Sequence, residues 1–170
     1  MVADLTLGTA VRGAFTDQLI GIEGLTGGFN NDTLIGDAGD NQLYGGGGGS
    51  DLVTTGTGAD TVLVQLFQSG TTHVTDFNHA QDSIGLSGFN LGAAALPNGP
   101  LDAARFVTGS FSSAPTATMA GPQFFYDQSL GNLWQDRDGT GAAAAVLVLV
   151  LDNHPLIDAS DLIVRDYVLN

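Results

Sequence analysis

The 170-residue chain contains no cysteine, no lysine and only four arginines. Without cysteine it can form no disulfide framework, no thiolate zinc site and no cysteine nucleophile. Without lysine it lacks the phosphate-binding residue of a P-loop and the lysine of a Schiff base or a Ser–Lys dyad. The scarcity of basic residues also argues against a nucleic-acid partner, because phosphate binding needs clustered Lys and Arg.

Long apolar segments are also missing. Residues 1–15 contain no basic region followed by about 7–15 apolar residues, so we do not expect them to be a secretory signal peptide. The longest apolar run, 142–151, is too short to cross a bilayer. Its alternating Val and Leu predict a strand that is buried on both faces. We therefore expect no membrane insertion.

Aspartate and glycine are abundant instead. The chain has 17 Asp, a single Glu, 25 Gly and a net charge of −14, while 43% of its residues are hydrophobic. That hydrophobic content argues against disorder throughout, and the length suits one domain or two tightly joined halves. An excess of the shorter carboxylate calls for a cation, and calcium is the first to consider.

The glycines concentrate in a repeat with a period of nine residues. Its four units are GGFNNDTLI (27–35), GDAGDNQLY (36–44), GGGGSDLVT (46–54) and TGTGADTVL (55–63), and the extra Gly45 separates the second unit from the third. A degenerate unit precedes them at 18–26. The sixth position is Asp32, Asn41, Asp51 and Asp60, and the eighth is Leu34, Leu43, Val53 and Val62. A flexible Gly-rich linker would not keep Asp and aliphatic residues at these fixed offsets.

The spacing predicts a turn followed by a short strand in each unit. Glycine in positions one to six allows positive φ and close backbone approach, so carbonyl oxygens and the position-six carboxylate can face one point. The residue at position eight points inward from the strand. Two units complete one coil of a parallel β-roll, which stacks Asp32 on Asp51 and Asn41 on Asp60 with hard cations between the turns.

The units resemble the RTX (repeats-in-toxin) nonapeptide G-G-x-G-x-D-x-U-x, a calcium-binding repeat. Asp37, Asn41 and Thr55 depart from that pattern, so we expect the second and fourth loops to bind more weakly than the first and third. The residues that we predict to bind calcium lie in the repeat turns and in the segment after them: Gly27, Gly28, Asn30, Asp32, Gly36, Asp37, Gly39, Asn41, Gly46, Gly48, Asp51, Gly56, Gly58, Asp60, Asp76 and Asp82.

The segment after the repeats carries a second resemblance. Residues 59–89 are similar to the segment that follows the repeats in secreted RTX proteins, including serralysin-type proteases. Asp76 and Asp82 match acidic positions there and are candidates for a further calcium site. The alternative, that these two residues only cap turns, stays open.

The C-terminal half predicts further strands at 124–127, 132–136 and 144–151, separated by turns. This run resembles the capping region of RTX proteins. Its aromatic residues, Phe124, Phe125, Tyr126 and Trp134, are interpreted as core rather than as a sugar-stacking surface. The last residues, with Asp before three apolar residues at 161–164 and again at 166–169, resemble the uncleaved secretion signal of type I exported proteins.

We find no catalytic constellation in the sequence. The three histidines, His73, His79 and His154, form no HExxH zinc motif, and no GxSxG nucleophile elbow occurs. A pair of glycosidase carboxylates stays open as an alternative, although most Asp fall at turns, where calcium and turn chemistry explain them. We therefore expect this chain not to be an enzyme, although a parent protein could be one.

These observations predict an all-β protein, a parallel β-roll that continues into a β-sandwich-like C-terminal cap. The expected domains are an N-terminal capping segment with the degenerate repeat (1–26), the β-roll (27–63) and the β cap with its secretion signal (64–170). The expected function is that of the C-terminal module of a larger bacterial extracellular protein, which folds on calcium after type I secretion. The alternatives are a calcium-dependent adhesin or carbohydrate-binding module for a cell-surface glycan, and the non-catalytic part of a secreted hydrolase or epimerase.

Overall fold

The computed structural model of the chain describes residues 1–64, 69–87 and 96–165. These residues form sixteen strands and two short 3-10 helices, so the all-β class is confirmed. The strands are β1 (Val2–Asp4), β2 (Thr9–Arg12), β3 (Phe15–Gln18), β4 (Gly24–Thr26), β5 (Thr33–Ile35), β6 (Gln42–Tyr44), β7 (Gly48–Thr54), β8 (Thr61–Val64), β9 (Ser69–Val74), β10 (Ser83–Ser87), β11 (Gly99–Pro100), β12 (Phe106–Thr108), β13 (Gln123–Asp127), β14 (Asn132–Asp136), β15 (Val146–Leu151) and β16 (Leu162–Arg165). The 3-10 helices are Ala103–Arg105 and Ala159–Asp161. In the described part of the chain no helix has the length and apolarity needed to span a bilayer.

Two sheets enclose the core. The larger has ten strands in the order β12-β13-β14-β15-β9-β7-β5-β1-β2-β3, and the smaller has six in the order β11-β16-β10-β8-β6-β4. From β4 to β10 the chain alternates between the two sheets, and each strand pairs in parallel with the strand one coil away. Parallel pairing with such short connections requires the chain to wind as a solenoid. The predicted parallel β-roll is confirmed.

The register of the coils follows the repeat. Thr33 pairs with Leu52, and Gln42 pairs with Thr61, so these two coils each advance by 19 residues. The extra Gly45 supplies the nineteenth residue and lies between β6 and β7, outside the strands. Because side chains alternate along a strand, this register places all position-eight residues on the inner face.

The position-eight residues form two buried columns, one on each sheet, and both columns extend beyond the repeats. The column of the larger sheet is Ala3, Leu34, Val53, Val74 and Leu151; that of the smaller sheet is Leu25, Leu43, Val62, Ile84 and Leu162. The exposed fraction of every one of these side chains is 6% or less. Burying an aliphatic side chain of this size contributes about 1.5–3 kcal/mol, so the columns are the main hydrophobic support of the roll.

Parallel winding continues past residue 63. Strands β9 and β10 form one more coil, and β15 and β16 pair in parallel with them as a last coil. Between β10 and β15, the strands β13 and β14 form an antiparallel hairpin that pairs with β15. The C-terminal strands thus extend both sheets of the roll, while the sandwich-like cap and the three-domain division stay predictions.

The strands predicted in the C-terminal half are present as β13, β14 and β15. Only the second half of β15 is buried, and Val146 at its start is 58% exposed, so the interpretation of 142–151 as buried on both faces holds for its end alone. Phe124, Phe125 and Tyr126 are buried, as a core role requires.

Two segments singled out in the sequence extend beyond the described residues: the last residues of 59–89, and the secretion-signal residues 166–169. At the other end of the chain, β1 pairs in parallel with β5 and is followed by the antiparallel strands β2 and β3.

Candidate metal centre

The repeat turns stack along the two edges of the roll. The turn before β5 lies against the turn before β7, and the turn before β6 lies against the turn before β8. The main-chain N–H of Asp32 donates to Asp51 Oδ1 at 2.9 Å, and that of Asn41 donates to Asp60 Oδ1 at 2.8 Å. The structure therefore brings together the two pairs that the repeat spacing predicts to stack.

The turns of the first and second units, which we call the outer turns, each also close on their own position-six side chain. The N–H of Gly28 donates to Asp32 Oδ2 at 2.6 Å, and the N–H of Asp37 donates to Asn41 Oδ1 at 2.7 Å. The other oxygen of Asp32 forms an ion pair with the amino group of Met1. These bonds fix the orientation of the Asp32 and Asn41 side chains within their turns.

Glycine at position one leaves room for oxygen atoms of two turns to approach one point. A Cβ atom on Gly27 would overlap the carbonyl oxygen of Gly45 and lie 2.8 Å from Asp32 Oδ2. A Cβ atom on Gly36 would overlap the carbonyl oxygen of Thr55 and lie 2.5 Å from Asn41 Oδ1. Both points lie next to a carbonyl oxygen of one turn and a side-chain oxygen of the other, the donor set that hard cations prefer.

Asp60 is the most deeply buried carboxylate of the stacked turns. The residue is 0% exposed, and its Oδ2 atom is buried without a hydrogen-bond partner. The pKa of Asp60 is raised to about 6, mainly by burial and then by the charges of Asp82, Asp40 and Asp76, against the lowering effect of the Asn41 N–H. A buried, unpartnered carboxylate oxygen among like charges is costly unless a cation neutralises it.

Asp51 occupies the corresponding position on the other edge. It is 4% exposed, and burial raises its pKa against the lowering effect of the Asp32 N–H, with the charge of Asp32 raising it further. A Cβ atom on Gly45 would lie 2.5 Å from Asp51 Oδ2 and 2.8 Å from Thr72 Oγ1. Thr72 pairs with Asp51 in the sheet, so the acidic column on this edge ends there.

Position five of the outer turns has a role that the sequence reasoning missed. Asn31 Oδ1 accepts the N–H of Ser50 at 2.9 Å, and Asp40 Oδ1 accepts the N–H of Ala59 at 2.8 Å. The position-five side chain of one turn therefore accepts a main-chain N–H of the next turn, and the position-six side chain of that next turn accepts an N–H of the first. These two hydrogen bonds hold the stacked turns together. The signal was the pair of adjacent Asn or Asp residues at positions five and six of the first two units.

The structure places Asp76 and Asp82 against the turn of the fourth unit. Asp76 accepts the N–H groups of Thr55 and Gly56 at 2.7 and 3.0 Å, and Asp82 Oδ1 accepts the N–H of Asp60 at 3.2 Å. Asp82 Oδ2 also closes its own turn through the N–H of Asn78 at 2.8 Å, as Asp32 does in the first unit. These are the contacts of turn caps, while calcium ligation by either residue stays a prediction.

The other predicted ligands lie in the same turns. The N–H of Gly39 donates to Asp37 Oδ1 at 2.8 Å. A Cβ atom on Gly46 would overlap the carbonyl oxygen of Gly28, and those on Gly56, Gly58 and Gly49 would meet the carbonyl oxygens of Asp37, Gly39 and Asn30. Gly48 lies at the start of β7 and pairs with Ser69, while its calcium ligation stays a prediction.

Acidic side chains alone do not form the centre. Within 1–64, 69–87 and 96–165, no group of three His, Cys, Asp or Glu side chains is arranged to hold an ion. A cation between these turns would therefore depend on main-chain carbonyl oxygens together with Asp32, Asp51, Asn41 and Asp60. This donor set of hard oxygens fits calcium and does not fit a metal that requires nitrogen or sulfur ligands.

Comparison with known proteins agrees with this geometry. The family model of the RTX calcium-binding nonapeptide repeat, in four copies, matches residues 20–48 and 26–62. No curated protein matches the chain. The matched residues begin before β4 and end within β8, so they cover the turns described above.

Proposed function

Because residues 20–62 are RTX calcium-binding repeats folded as a β-roll, we propose that the chain is a module whose folding depends on calcium. In this proposal the module folds after type I export and stabilises a larger bacterial extracellular protein. The observation that carries the first step is Asp60, a fully buried carboxylate with an unpartnered oxygen in the stack of turns.

Electrostatics explains the expected calcium dependence. In the calcium-free chain, folding brings Asp40, Asp60, Asp76 and Asp82 close enough to raise the pKa of Asp60. The strands of this edge are short, so they offset little of the ordering entropy of glycine-rich turns. Calcium removes the repulsion and binds only the stacked arrangement, so its binding free energy becomes folding free energy.

Several sites of modest affinity suffice for such a switch. Extracellular calcium modules bind with Kd values of about 10⁻⁴ to 10⁻³ M. At ten times its Kd, one site adds about 1.4 kcal/mol to the free energy of unfolding, and independent sites add to one another. Two or three sites change the stability of a marginal domain from unfolded to folded.

Circular dichroism during a calcium titration tests the folding step. We expect β signal to appear with calcium, to disappear with EDTA and not to return with the same concentration of magnesium, which demands a smaller octahedral site. Asp51→Ala and Asp32→Ala should raise the calcium concentration at the midpoint. An equally folded 27–63 segment with and without calcium would refute the proposal.

Export requires its own experiment. The support for it is the RTX match, together with the similarity of residues 161–169 to type I signals. In bacteria that carry a type I exporter, we expect the chain to accumulate in the medium and a variant with residues 166–169 replaced by Gly and Ser to remain inside. The variant must still fold with calcium when purified. Equal export of both proteins would contradict the assignment of the signal.

A further inference from the structure

A groove lies in the C-terminal half of the molecule, away from the calcium turns. Its two adjoining hollows have volumes of about 420 and 500 Å³ and share Thr108 and Gln128. Each hollow falls in the range of about 300–1,000 Å³ that is typical of small-molecule sites. The walls come from the end of β12, the turn between β13 and β14, and the loop after β15.

One hollow has an apolar wall. Tyr126 and Ile157 form buried parts of it, Phe106 is half-buried, and Leu156 is 68% exposed. The hydroxyl of Tyr126 donates to the carbonyl oxygen of Pro155 at 2.8 Å, which fixes the loop that carries Leu156. An exposed leucine on a fixed loop offers a ligand a flat apolar contact at little entropic cost.

The adjoining hollow is lined by neutral polar side chains. Thr108, Ser110, Gln128, Ser129 and His154 line it, and each of these side chains can both donate and accept hydrogen bonds. Among the described residues that line the two hollows there is no arginine, and the single carboxylate is Asp158. The groove is therefore suited to a neutral partner that itself donates and accepts.

A buried carboxylate holds two of the walls in place. Asp127 is 1% exposed and accepts the N–H of Phe111 at 2.6 Å and the N–H and hydroxyl of Ser129 at 2.9 and 2.6 Å. These bonds lower the pKa of Asp127, with the Ser129 hydroxyl as the largest cause, so the carboxylate remains charged at neutral pH. The positions of Ser110 and Ser129 at the rim are thus determined before any ligand binds.

His154 is held at the rim in an unfavourable backbone conformation. Its φ of 50° makes it the one non-glycine residue with positive φ in the described part of the chain. Its ring lies against Gly131, where a Cβ atom would be 3.0 Å from the imidazole Cδ2 and would also overlap the carbonyl oxygen of Leu151. Strain of this kind concentrates at functional sites, because the surrounding structure must maintain it.

We propose that this groove binds a neutral, hydroxyl-rich ligand of the sugar class. The hydroxyls of a pyranose donate and accept, as do Gln128, Ser110 and Thr108, and its C–H face suits contact with Phe106 and Leu156. An anionic ligand is disfavoured, because the chain has a net charge of −14 and the lining offers Asp158 and no arginine. Phe124 and Phe125 of β13 line neither hollow.

The proposal is tested by NMR on the calcium-loaded, ¹⁵N-labelled chain with maltotriose, cellotriose and triacetylchitotriose as probes. We expect at least one of them to shift the amides of 108–110, 128–129, 154 and 156–158 with a Kd of about 10⁻³ M or lower. Leu156→Ala and Gln128→Ala should each weaken binding about tenfold. Leu7→Ala and Gln18→Ala, exposed matched controls in the N-terminal strands and turn, should leave it unchanged.

Three results would overturn the assignment: no shift at the groove amides with any probe, shifts confined to the β-roll, or unchanged affinity in both groove variants. The same spectra report whether the chain is folded. If the unaltered chain is folded and calcium-saturated but binds none of the three sugars, the groove proposal is refuted and the calcium proposal is unaffected.

Discussion

The substitution Asp60→Asn separates the two effects that we assign to the acidic turns. It removes one buried negative charge and keeps an oxygen that can accept the N–H of Asn41, which Asp60 Oδ1 accepts at 2.8 Å. Without calcium the variant should be more stable than the parent chain, because the repulsion from Asp82, Asp40 and Asp76 is removed. With calcium this advantage should largely disappear, because the chain loses a carboxylate that we predict to bind the ion.

The size of the effect follows from the pKa. Raising the pKa of Asp60 to about 6 corresponds to about 3 kcal/mol of cost at neutral pH in the folded, calcium-free state. Burial of the new amide also costs free energy, which offsets part of this relief. We therefore expect the free energy of unfolding in EDTA to be about 1–2 kcal/mol higher for the variant than for the parent chain. In calcium, a tenfold weaker site subtracts about 1.4 kcal/mol from this gain, so the two chains should then be about equally stable.

Circular dichroism can measure the stability difference between the variant and the parent chain in both conditions. In EDTA, folding is driven by an excluded osmolyte such as trimethylamine N-oxide, and the variant should fold at a lower osmolyte concentration. In saturating calcium, chemical denaturation should show little or no difference between the two chains. Asp127→Asn is the control: Asp127 is equally buried but lies outside the roll, so this variant should lose about 1–3 kcal/mol in both conditions.

A loss of equal size with and without calcium would refute the reasoning. It would mean that Asp60 acts through its hydrogen bond and its packing alone, and that neither repulsion nor ligation matters at this position.

Three further predictions concern other parts of the chain. In EDTA, the free energy of unfolding should rise as the pH falls from about 7 to 5, because the raised pKa lets Asp60 take up a proton in the folded chain before it does so in the unfolded chain. An osmolyte titration at each pH measures this. A fall in stability over the same range would contradict it. Gly46→Ala, at φ +112°, places a Cβ atom that overlaps a neighbouring carbonyl oxygen, so it should lower the free energy of unfolding by about 2–3 kcal/mol in denaturant titrations. Gly13→Ala, at φ +62° in open space, is the control and should lower it by about 1 kcal/mol. Equal losses would show that the close approach is unimportant. Tyr126→Phe removes the 2.8 Å bond to Pro155 and should lower the free energy of unfolding by about 1 kcal/mol, and an unchanged denaturation midpoint would show that the bond adds nothing.

The roll could be predicted from the sequence because its information is local. A glycine turn, an acid at position six and an aliphatic residue at position eight recur within nine residues, and the extra Gly45 set the spacing of 19 residues between Asp32 and Asp51. The position-eight residues accordingly lie in the buried columns. Each repeat contacts only its neighbours and carries the same turn and strand pattern, so the structure predicted for one unit applies to the next.

The two last coils could not be predicted, because tertiary contacts define them. Val74 and Ile84 continue the buried columns although no nonapeptide turn precedes them. The pairing of Leu151 with Val74 joins strands that are far apart in sequence and is absent from any local pattern. For the same reason β7 begins at Gly48 rather than at Leu52, because β9 offers a partner for the earlier residues. The groove was missed because three separate loops build it.

The coupling between the calcium turns and the rest of the molecule passes through Asp60. Its carbonyl oxygen accepts the N–H of Ser83 at 2.8 Å, and its N–H donates to Asp82, so the order of its turn and the pairing of β10 with β8 support each other. Strand β16 in turn pairs with β10, and β15 is bonded to β9 through the N–H of Asp152 and the carbonyl oxygen of Val74 at 2.8 Å. Neutralising the acid at Asp60 therefore stabilises strands that contain no repeat turn, and the C-terminal half should fold and unfold together with the calcium-binding half.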